Sequence, residues 1–410
     1  MHPMVKPALR RAWRSLRCVQ FGITPAHAVV VSPVDPGTGE LLALLDGTRG
    51  TELLRAEARA RGLPDGHLEA LLSRLAAAGL LADASNGRPG KAGSGAGAGV
   101  AAGAGAVGVA GAGAGGAAGA GAGGAVLDPL RADLASLSVV HREPDRAVRT
   151  LAARRALRVQ VRGAGRVGAM VAALLSAAGV GTVEVLDSGR VEPWETAPGG
   201  LPAEAVGERR ATAARRVVRR WARGGTRAGP TGGAAGQGDG RGSPGLSLVV
   251  VTPRDGLGAY VPDPVPAGPW ITTGTPHLYA GVLEATGTVG PLVLPGGTAC
   301  ARCLQEELTD REPVRPRLLA QWRSGAPHPL PACDLALATA VAGLTTAHAL
   351  AFLDGDLPAS TGARWEVSLP LLEWRAERLR PHPDCPCGAA RGGEGERASA
   401  AGSAQDTMAG

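Results

Sequence analysis

Four of the six cysteines in the chain form two close pairs. Cys300 and Cys303 make a CxxC motif, and Cys385 and Cys387 make a CxC motif much later in the chain. Zinc prefers a tetrahedron of soft ligands, and two pairs from distant segments supply four thiolates. The spacing predicts a structural zinc site, because no ligand position is left for water. His382 is the nearest competing ligand, but its neighbouring prolines favour a turn.

A glycine-rich segment is the second group that could do chemistry. Gly163, Gly165 and Gly168 form a GxGxxG motif directly after an apolar stretch and at the start of a helical pattern. Backbone amides and the helix dipole at such a place favour a phosphate. Asp187 follows the next apolar stretch, where a carboxylate can accept hydrogen bonds from ribose hydroxyls. The pattern predicts a nucleotide site, and the alternative is that the glycines only permit close packing of strand and helix.

Cys333 immediately precedes an apolar stretch that begins at Asp334 and reads as a helix. A helix N-terminus can lower the pKa of a thiol and favour the thiolate, so Cys333 is a candidate nucleophile. A buried, unreactive cysteine is the alternative. Cys18 has no chemical context and is expected to be structural.

A basic helical segment carries many arginines and is predicted to expose them to solvent. Its arginines are Arg209, Arg210, Arg215, Arg216, Arg219, Arg220 and Arg223. Such a face can bind nucleic acid phosphates, but aromatic residues, which would stack on bases, make up only 3% of the chain. We therefore do not expect a nucleic acid partner.

The elements that position these residues alternate between strand and helix. Strands are predicted over 157–161 and 182–187 and in a stretch that ends at Val251, with helices from the glycine motif to about Ala178 and over 205–221. Strands that alternate with helices indicate a parallel sheet covered on both faces. The expected fold class is therefore α/β, with a Rossmann-like sheet.

Composition divides the chain of 410 residues into several regions. Residues 1–86 read as short helices with a possible β wing, a small winged-helix-like domain. Residues 87–125 are almost entirely glycine and alanine, which predicts a disordered linker. The main domain is predicted over 126–388, with a disordered loop at 223–245 and a disordered tail at 389–410.

Charge and hydropathy narrow the class of protein. The formal charge is +7, almost wholly from arginine, which suits anionic partners. The N-terminus has no apolar run of signal-peptide length, so a cytoplasmic location is expected. The apolar stretch 334–355 contains threonines and a histidine, which favours a buried helix over a membrane span.

Several of these segments together resemble the ThiF/MoeB/HesA family of ubiquitin-activating-type adenylyltransferases. The strand and glycine motif, the AAGVG ending at Gly181, and Asp187 with Val191 and Glu192 occur in the family's order. The stretch 206–211 is similar to the family's G-x-x-K-A helix start, with Arg210 at the lysine position. The stretch 287–304 is similar to the strand pair that leads to the family's first zinc cysteines.

The resemblance implies an ATP site with magnesium and the formation of an acyl adenylate on the C-terminal carboxylate of a small ubiquitin-like protein or peptide. It implies that Gly163, Gly165 and Gly168 cradle phosphate, that Asp187 binds ribose and that Arg210 meets the developing charge. Cys333 lies near the position from which some members form a covalent sulfur linkage. Members are commonly homodimers, and we expect the same here.

Two positions depart from the family pattern. The N-L-x-R-Q arginine is absent after the second strand, and the D-x-x-D-N aspartate is replaced by a shifted Arg254 and Asp255. A catalytically degenerate scaffold that binds a leader peptide is therefore an alternative, and residues 1–86 resemble PqqD-like leader-recognition domains. An NAD-dependent oxidoreductase shares the glycine motif and Asp187, but no His or Tyr pair is apparent for its chemistry.

Overall fold

The computed structural model of this chain describes residues 1–86, 128–141, 143, 145–222, 227–228, 245–324 and 331–391. The predicted linker 87–125 lies outside the described residues. So do positions 223–226 and 229–244 of the predicted loop, and positions 392–410 of the predicted tail.

An eight-stranded mixed sheet forms the centre of the larger part of the chain. Strands β1 to β13, in chain order, are Pro3–Val5, Arg11–Ser15, Cys18–Phe21, Val29–Val31, Leu81–Asp83, Arg158–Arg162, Thr182–Leu186, Arg227–Ala228, Leu248–Val251, His277–Leu283, Thr286–Val293, Ala363–Ser368 and Arg375–Arg378. The order in the large sheet is β13-β12-β11-β10-β9-β6-β7-β8. The five strands from β10 to β8 run parallel, and β11, β12 and β13 run antiparallel to their neighbours. The predicted α/β class with a parallel sheet is confirmed.

Helices connect and cover these strands. The α-helices are Pro36–Ala43, Thr51–Ala60, His67–Ala77, Arg131–Val140, Arg146–Arg154, Arg166–Ala177, Arg210–Trp221, Leu257–Tyr260, Pro264–Thr272, Ala301–Arg311, Arg315–Ser324 and Leu335–Leu353. Short 3-10 turns lie at Ala84–Asn86, Asp128–Leu130, Pro193–Glu195 and Ala203–Ala205. The basic helix begins at Arg210, whereas the sequence predicts its start near residue 205. Arg227–Ala228, which belong to the predicted disordered loop, form strand β8 of the large sheet.

The parallel strands are valine-rich because helices bury both of their faces. The helix Arg166–Ala177 packs against β6 and β7, and its residues Val171, Ala172 and Leu175 are fully buried. The helix Leu335–Leu353 packs on β10 and β11, where a Cβ atom added at Gly287 would lie 2.5 Å from a Val341 methyl carbon. Close approach of this helix to the sheet therefore depends on that glycine.

The helix Leu335–Leu353 is the one candidate for a membrane span among the described residues, by length and composition. Its side chains Leu337, Val341 and Ala349 belong to the main hydrophobic core. The helix therefore lies where the sequence predicts, as a core helix of the sheet domain. Asp334 caps it by accepting a hydrogen bond from the Leu337 amide at 3.0 Å.

The described chain divides into two compact units. Among the described residues, the first unit contains 1–7, 16–18, 31–86 and 128, and it includes three helices and the antiparallel pair β1-β5. Residues 8–15 and 19–30 group with the second unit.

Glu284 explains why these two N-terminal stretches belong to the second unit. It lies at the β10-β11 turn and is buried, with a backbone φ of +48°. Its carboxylate accepts hydrogen bonds from the amides of Arg10 at 2.9 Å and Ile23 at 2.6 Å. A buried carboxylate that gains backbone donors ties these residues to the turn, although burial still raises the pKa of Glu284.

Candidate functional site

The glycine motif lies where three neighbouring parallel strands end. Arg162, the last residue of β6, pairs with Leu186 of β7 on one side and Val251 of β9 on the other. The residues that follow these strands therefore meet at one edge of the sheet, at the point where the strand order changes direction. Ligands of open α/β sheets bind in crevices at such points.

The surroundings of the three motif glycines differ in how much room they leave for a side chain. A Cβ atom at Gly163, where φ is +102°, would lie 2.0 Å from the Thr252 carbonyl oxygen, and one at Gly168 would lie 2.0 Å from the Gly163 carbonyl oxygen. Both positions are fixed by packing. At Gly165, which caps the helix Arg166–Ala177, the nearest atom to an added Cβ is the Arg254 Cα at 3.6 Å. An added Cβ at Gly165 would make only ordinary van der Waals contacts, so packing does not require a glycine there and the close approach of a ligand can explain it.

Asp187 is held beside the loop by three hydrogen bonds. One carboxylate oxygen accepts from the Ala164 amide at 2.8 Å. The other accepts from the Gly189 amide at 2.8 Å and from Arg210 Nε at 2.9 Å. Its side chain is only 6% exposed. The predicted carboxylate therefore lies next to the glycine loop, where it binds backbone amides and Arg210.

Arg210 is buried, although the sequence places it on a basic helix predicted to face solvent. Besides Asp187, its guanidinium donates to the Arg190 carbonyl at 2.5 Å and to Glu195 at 3.1 Å. The exposed-face prediction is wrong for this residue, because two buried carboxylates need a cation at this end of the helix. Arg216, one turn and a half further along, fits that prediction better and pairs with Glu208 at 3.1 Å.

Glu195 connects Arg210 to a second arginine. Its carboxylate, 3% exposed, lies 2.5 Å from Arg254 Nε and also accepts from the Glu192 amide at 2.9 Å. Two buried carboxylates and two arginines thus form one network at the ends of β6, β7 and β9. Glu195 is not among the residues that the sequence predicts for the site, although an acidic residue after the second strand and a basic residue after the third are a signal of such a pair.

A cavity of about 200 Å³ opens beside this network. Its lining residues are Gly165, Arg166, Trp194, Glu195, Arg254, Pro331 and Cys333. Two buried donors near it, Arg166 Nε and Trp194 Nε1, have no hydrogen-bond acceptor among the described residues. Buried donors without acceptors are rare in folded proteins, so the chemistry of the cavity favours a ligand rich in acceptor atoms.

Cys333 lines the same cavity as Gly165, so the structure brings these two predicted residues together. Its carbonyl accepts from Arg166 Nη1 at 2.7 Å. Burial raises the pKa of the Cys333 thiol to about 11. This favours the alternative of a buried, unreactive cysteine in this conformation, because loss of hydration raises the pKa more than the charge of Arg166 lowers it.

The four paired cysteines converge on a second site. The Sγ atoms of Cys300 and Cys385 are 3.6 Å apart, and those of Cys303 and Cys387 are also 3.6 Å apart. All four sulfurs lie within 4.8 Å of one another. A zinc tetrahedron with Zn–S bonds of about 2.3 Å has S–S edges of about 3.8 Å, so the donor set fits a metal ion.

The other candidate ligands lie outside this cysteine group. His382 Nε2 lies 3.0 Å from an Asp310 carboxylate oxygen, and its Nδ1 accepts from the Asp384 amide at 3.3 Å. The hydrogen bond to Asp310 raises the pKa of His382. Its ring is therefore held by carboxylate and backbone, as expected of a turn residue.

Comparisons with known proteins give a family and a set of similar structures. The model of the ThiF family matches residues 144–227. The structure of E. coli MccB with ATP has 14% identity and a TM-score of 0.48, over 94% of this chain and 99% of MccB. The structure of the microcin C7 biosynthetic enzyme MccB in complex with N-formylated MccA has 14% identity and a TM-score of 0.47, over 95% of this chain and all of MccB.

A further similar structure is that of PaaA, with 14% identity and a TM-score of 0.45, over 91% of this chain and 99% of PaaA. No curated protein sequence matches the chain. All three TM-scores are below 0.5. The matched residues 144–227 contain the glycine motif, Asp187, Glu195 and Arg210. The segment 144–227 of this chain is therefore similar to the ThiF family.

Proposed function

We propose that this chain binds ATP at the glycine loop and activates the carboxylate of a peptide as an acyl adenylate. The observation that carries the proposal is Gly165, which lies at the N-terminus of a buried helix and is not required by packing, whereas the two other motif glycines are. Helix N-terminal amides and the helix dipole bind phosphate groups. The ThiF-family match covers this segment.

In the proposed reaction, a carboxylate oxygen of the peptide attacks the α-phosphorus of ATP. The bond from that phosphorus to the bridging oxygen breaks, and pyrophosphate leaves with the electron pair. The loop amides near Gly165 and the arginines that line the cavity stabilise the charge that develops on the phosphate oxygens. Arg210 acts as a positioning residue, because it binds Asp187 and Glu195 and does not line the cavity.

The finer assignments are part of the same proposal. Asp187 has one lone pair beyond its three hydrogen bonds and would accept a ribose hydroxyl after a small opening of the loop. Cys333 would receive the acyl group only after deprotonation, which its raised pKa opposes at neutral pH.

The substrate is a peptide recognised by the first unit, in keeping with the PqqD-like resemblance of residues 1–86, and a ubiquitin-like protein is the other substrate class to test. We propose zinc as the ion of the cysteine group, with a structural role, and a homodimer in the cytoplasm as the working form.

A second function has its own supporting observation. Both carboxylates of the network are already paired with arginines, which is the arrangement expected of a site that has lost chemistry and keeps its fold. In that case the protein is a peptide-binding scaffold of a modification pathway. An NAD-dependent oxidoreductase has less support, since the residues that line the cavity include neither histidine nor tyrosine.

Calorimetry with ATP on the full-length protein tests the proposal. Gly165→Asp places a carboxylate at the open position and should abolish ATP binding. Gly343→Asp is the control, because Gly343 is an exposed helix residue whose added Cβ would meet no atom within 4 Å. Retained binding in the control and loss in Gly165→Asp support the nucleotide site. Binding that survives Gly165→Asp contradicts it.

Pyrophosphate exchange into ATP then separates the two functions. A peptide substrate that stimulates exchange supports the enzyme. ATP binding without exchange for any peptide that the protein binds supports the scaffold.

A further inference from the structure

Carboxylates are the usual protein ligands of a magnesium ion that accompanies ATP. The family resemblance places such an aspartate after the third strand, where this chain has Asp255. One Asp255 oxygen lies 2.8 Å from Arg10 Nη2, and the other accepts from the Leu257 amide at 3.2 Å. Asp255 does not line the cavity. The residue nearest in sequence to the expected ligand therefore binds an arginine of the N-terminal stretch.

The two other carboxylates near the loop, Asp187 and Glu195, also have hydrogen-bond donors already. Asp187 accepts from two backbone amides and Arg210, and Glu195 accepts from Arg210, Arg254 and the Glu192 amide. A magnesium ion bound to Glu195 would have to displace Arg210 or Arg254, and the one free lone pair of Asp187 is assigned above to a ribose hydroxyl. The carboxylates of this site therefore do not fit a protein-bound magnesium ion.

The cavity instead presents cations and hydrogen-bond donors. Arg254 follows the third strand, and its Cα is the atom nearest to the open side of Gly165. Glu195 binds its Nε, and the described residues give its two terminal nitrogens no further partner. Arg166 contributes a second guanidinium, and Arg166 Nε and Trp194 Nε1 are the two donors that lack acceptors. Guanidinium groups match the oxygens of phosphate and provide positive charge without a metal ion.

We propose that this cavity binds the phosphate groups of its ligand through Arg254 and Arg166, in place of a magnesium ion held by protein carboxylates. The identification of that ligand as ATP rests on the proposed function above, whereas the anion site itself rests on the cavity. An arginine after the third strand thus takes over the charge neutralisation that the resemblance assigns to a metal.

Calorimetry of the full-length protein with ATP and, separately, with inorganic pyrophosphate tests the proposal, each in EDTA and in excess magnesium. We expect both anions to bind in EDTA at least as tightly as in magnesium. Arg254→Ala should weaken both in EDTA at least tenfold. Arg216→Ala removes an arginine from an exposed pair and should change binding less than twofold.

Arg254→Ala also removes one partner of buried Glu195, so a second variant protects the test against a folding defect. Arg254→Lys retains the charge but loses the planar donor set, and we expect anion affinity between those of the wild type and the alanine variant. Thermal unfolding of each variant checks that the protein is folded at the temperature of the titration.

The possible outcomes separate this proposal from the proposed function. Binding of ATP only when magnesium is present overturns the arginine site and leaves the nucleotide proposal standing. Binding of pyrophosphate in EDTA, with no binding of ATP either in EDTA or in magnesium, supports the arginine site and contradicts the nucleotide proposal. Absence of binding by both anions in EDTA overturns the arginine site.

Discussion

The cysteine group and the glycine-loop cavity are both built from distant segments, but they differ in how their charges are balanced. The cysteine group brings four identical donors within 4.8 Å and offers them all to one ion. At the glycine loop, Asp187 and Glu195 are already paired with Arg210 and Arg254, and the donors that remain face a cavity. The four thiolates of the first site can all bind one metal ion. At the second site the carboxylates are already paired with arginines, and the hydrogen-bond donors that remain can bind an anion.

The largest effect is expected at the cysteine group. Cys385→Ser should remove most of the bound zinc measured by atomic emission and lower the melting temperature more than any other single change discussed here. Metal binding contributes roughly 10 kcal/mol to folding in small zinc peptides. Cys18→Ser is the control, since Cys18 lies outside the group, and should leave the zinc content unchanged. Normal zinc content in Cys385→Ser would contradict the four-cysteine assignment.

The next largest effect is expected from the buried charge network. Arg210→Ala leaves Asp187 and Glu195 buried with fewer partners and should lower the free energy of unfolding by about 3 to 5 kcal/mol. Arg216→Ala on the same helix breaks an exposed pair and should cost less than about 1 kcal/mol. Chemical denaturation of both variants measures the difference. Equal losses would mean that Arg210 is not held as a buried cation.

A smaller difference should separate two glycines of one motif. Gly168→Ala forces a Cβ to within 2.0 Å of the Gly163 carbonyl oxygen and should cost about 1 to 3 kcal/mol of stability. Gly165→Ala meets only ordinary contacts and should cost less than about 1 kcal/mol, through its helix-cap position. Thermal unfolding compares the stability of the two variants. A larger loss of stability for Gly165→Ala would mean that packing requires Gly165 as well.

The smallest effect concerns the titration of Cys333. Because burial raises its pKa to about 11, alkylation of Cys333 by iodoacetamide should be slow at pH 7.5 and accelerate up to about pH 11. The unfolded thiol ionises at lower pH, near 9, so the folded state binds more protons between pH 9 and 11. Stability should therefore fall as the pH rises through that window. Mass spectrometry of the labelled Cys333 peptide measures the rate of alkylation. Rapid labelling at neutral pH would show that Cys333 is a thiolate there.

Sequence reasoning was most successful where the pattern is local. The valine-rich strands, the glycine motif and the helix after Asp334 depend on neighbours within a few residues, and each lies within a few residues of its predicted place. The prediction of an exposed face was wrong for Arg210, and the sequence left two alternatives open for Cys333. Both depend on what another segment places beside the residue, and neither neighbour can be read from local spacing.

The sequence by itself determined the α/β alternation, the position of the loop and the two pairs of cysteines, because strand and helix periodicity and ligand spacing are properties of contiguous residues. Only the tertiary structure decided which of three glycines is open, that Asp255 binds Arg10, and that Arg254 enters the cavity. The physical reason is that parallel strands in register bring the residues after β6, β7 and β9 to one edge. Burial then requires each charge there to find a partner from a different strand.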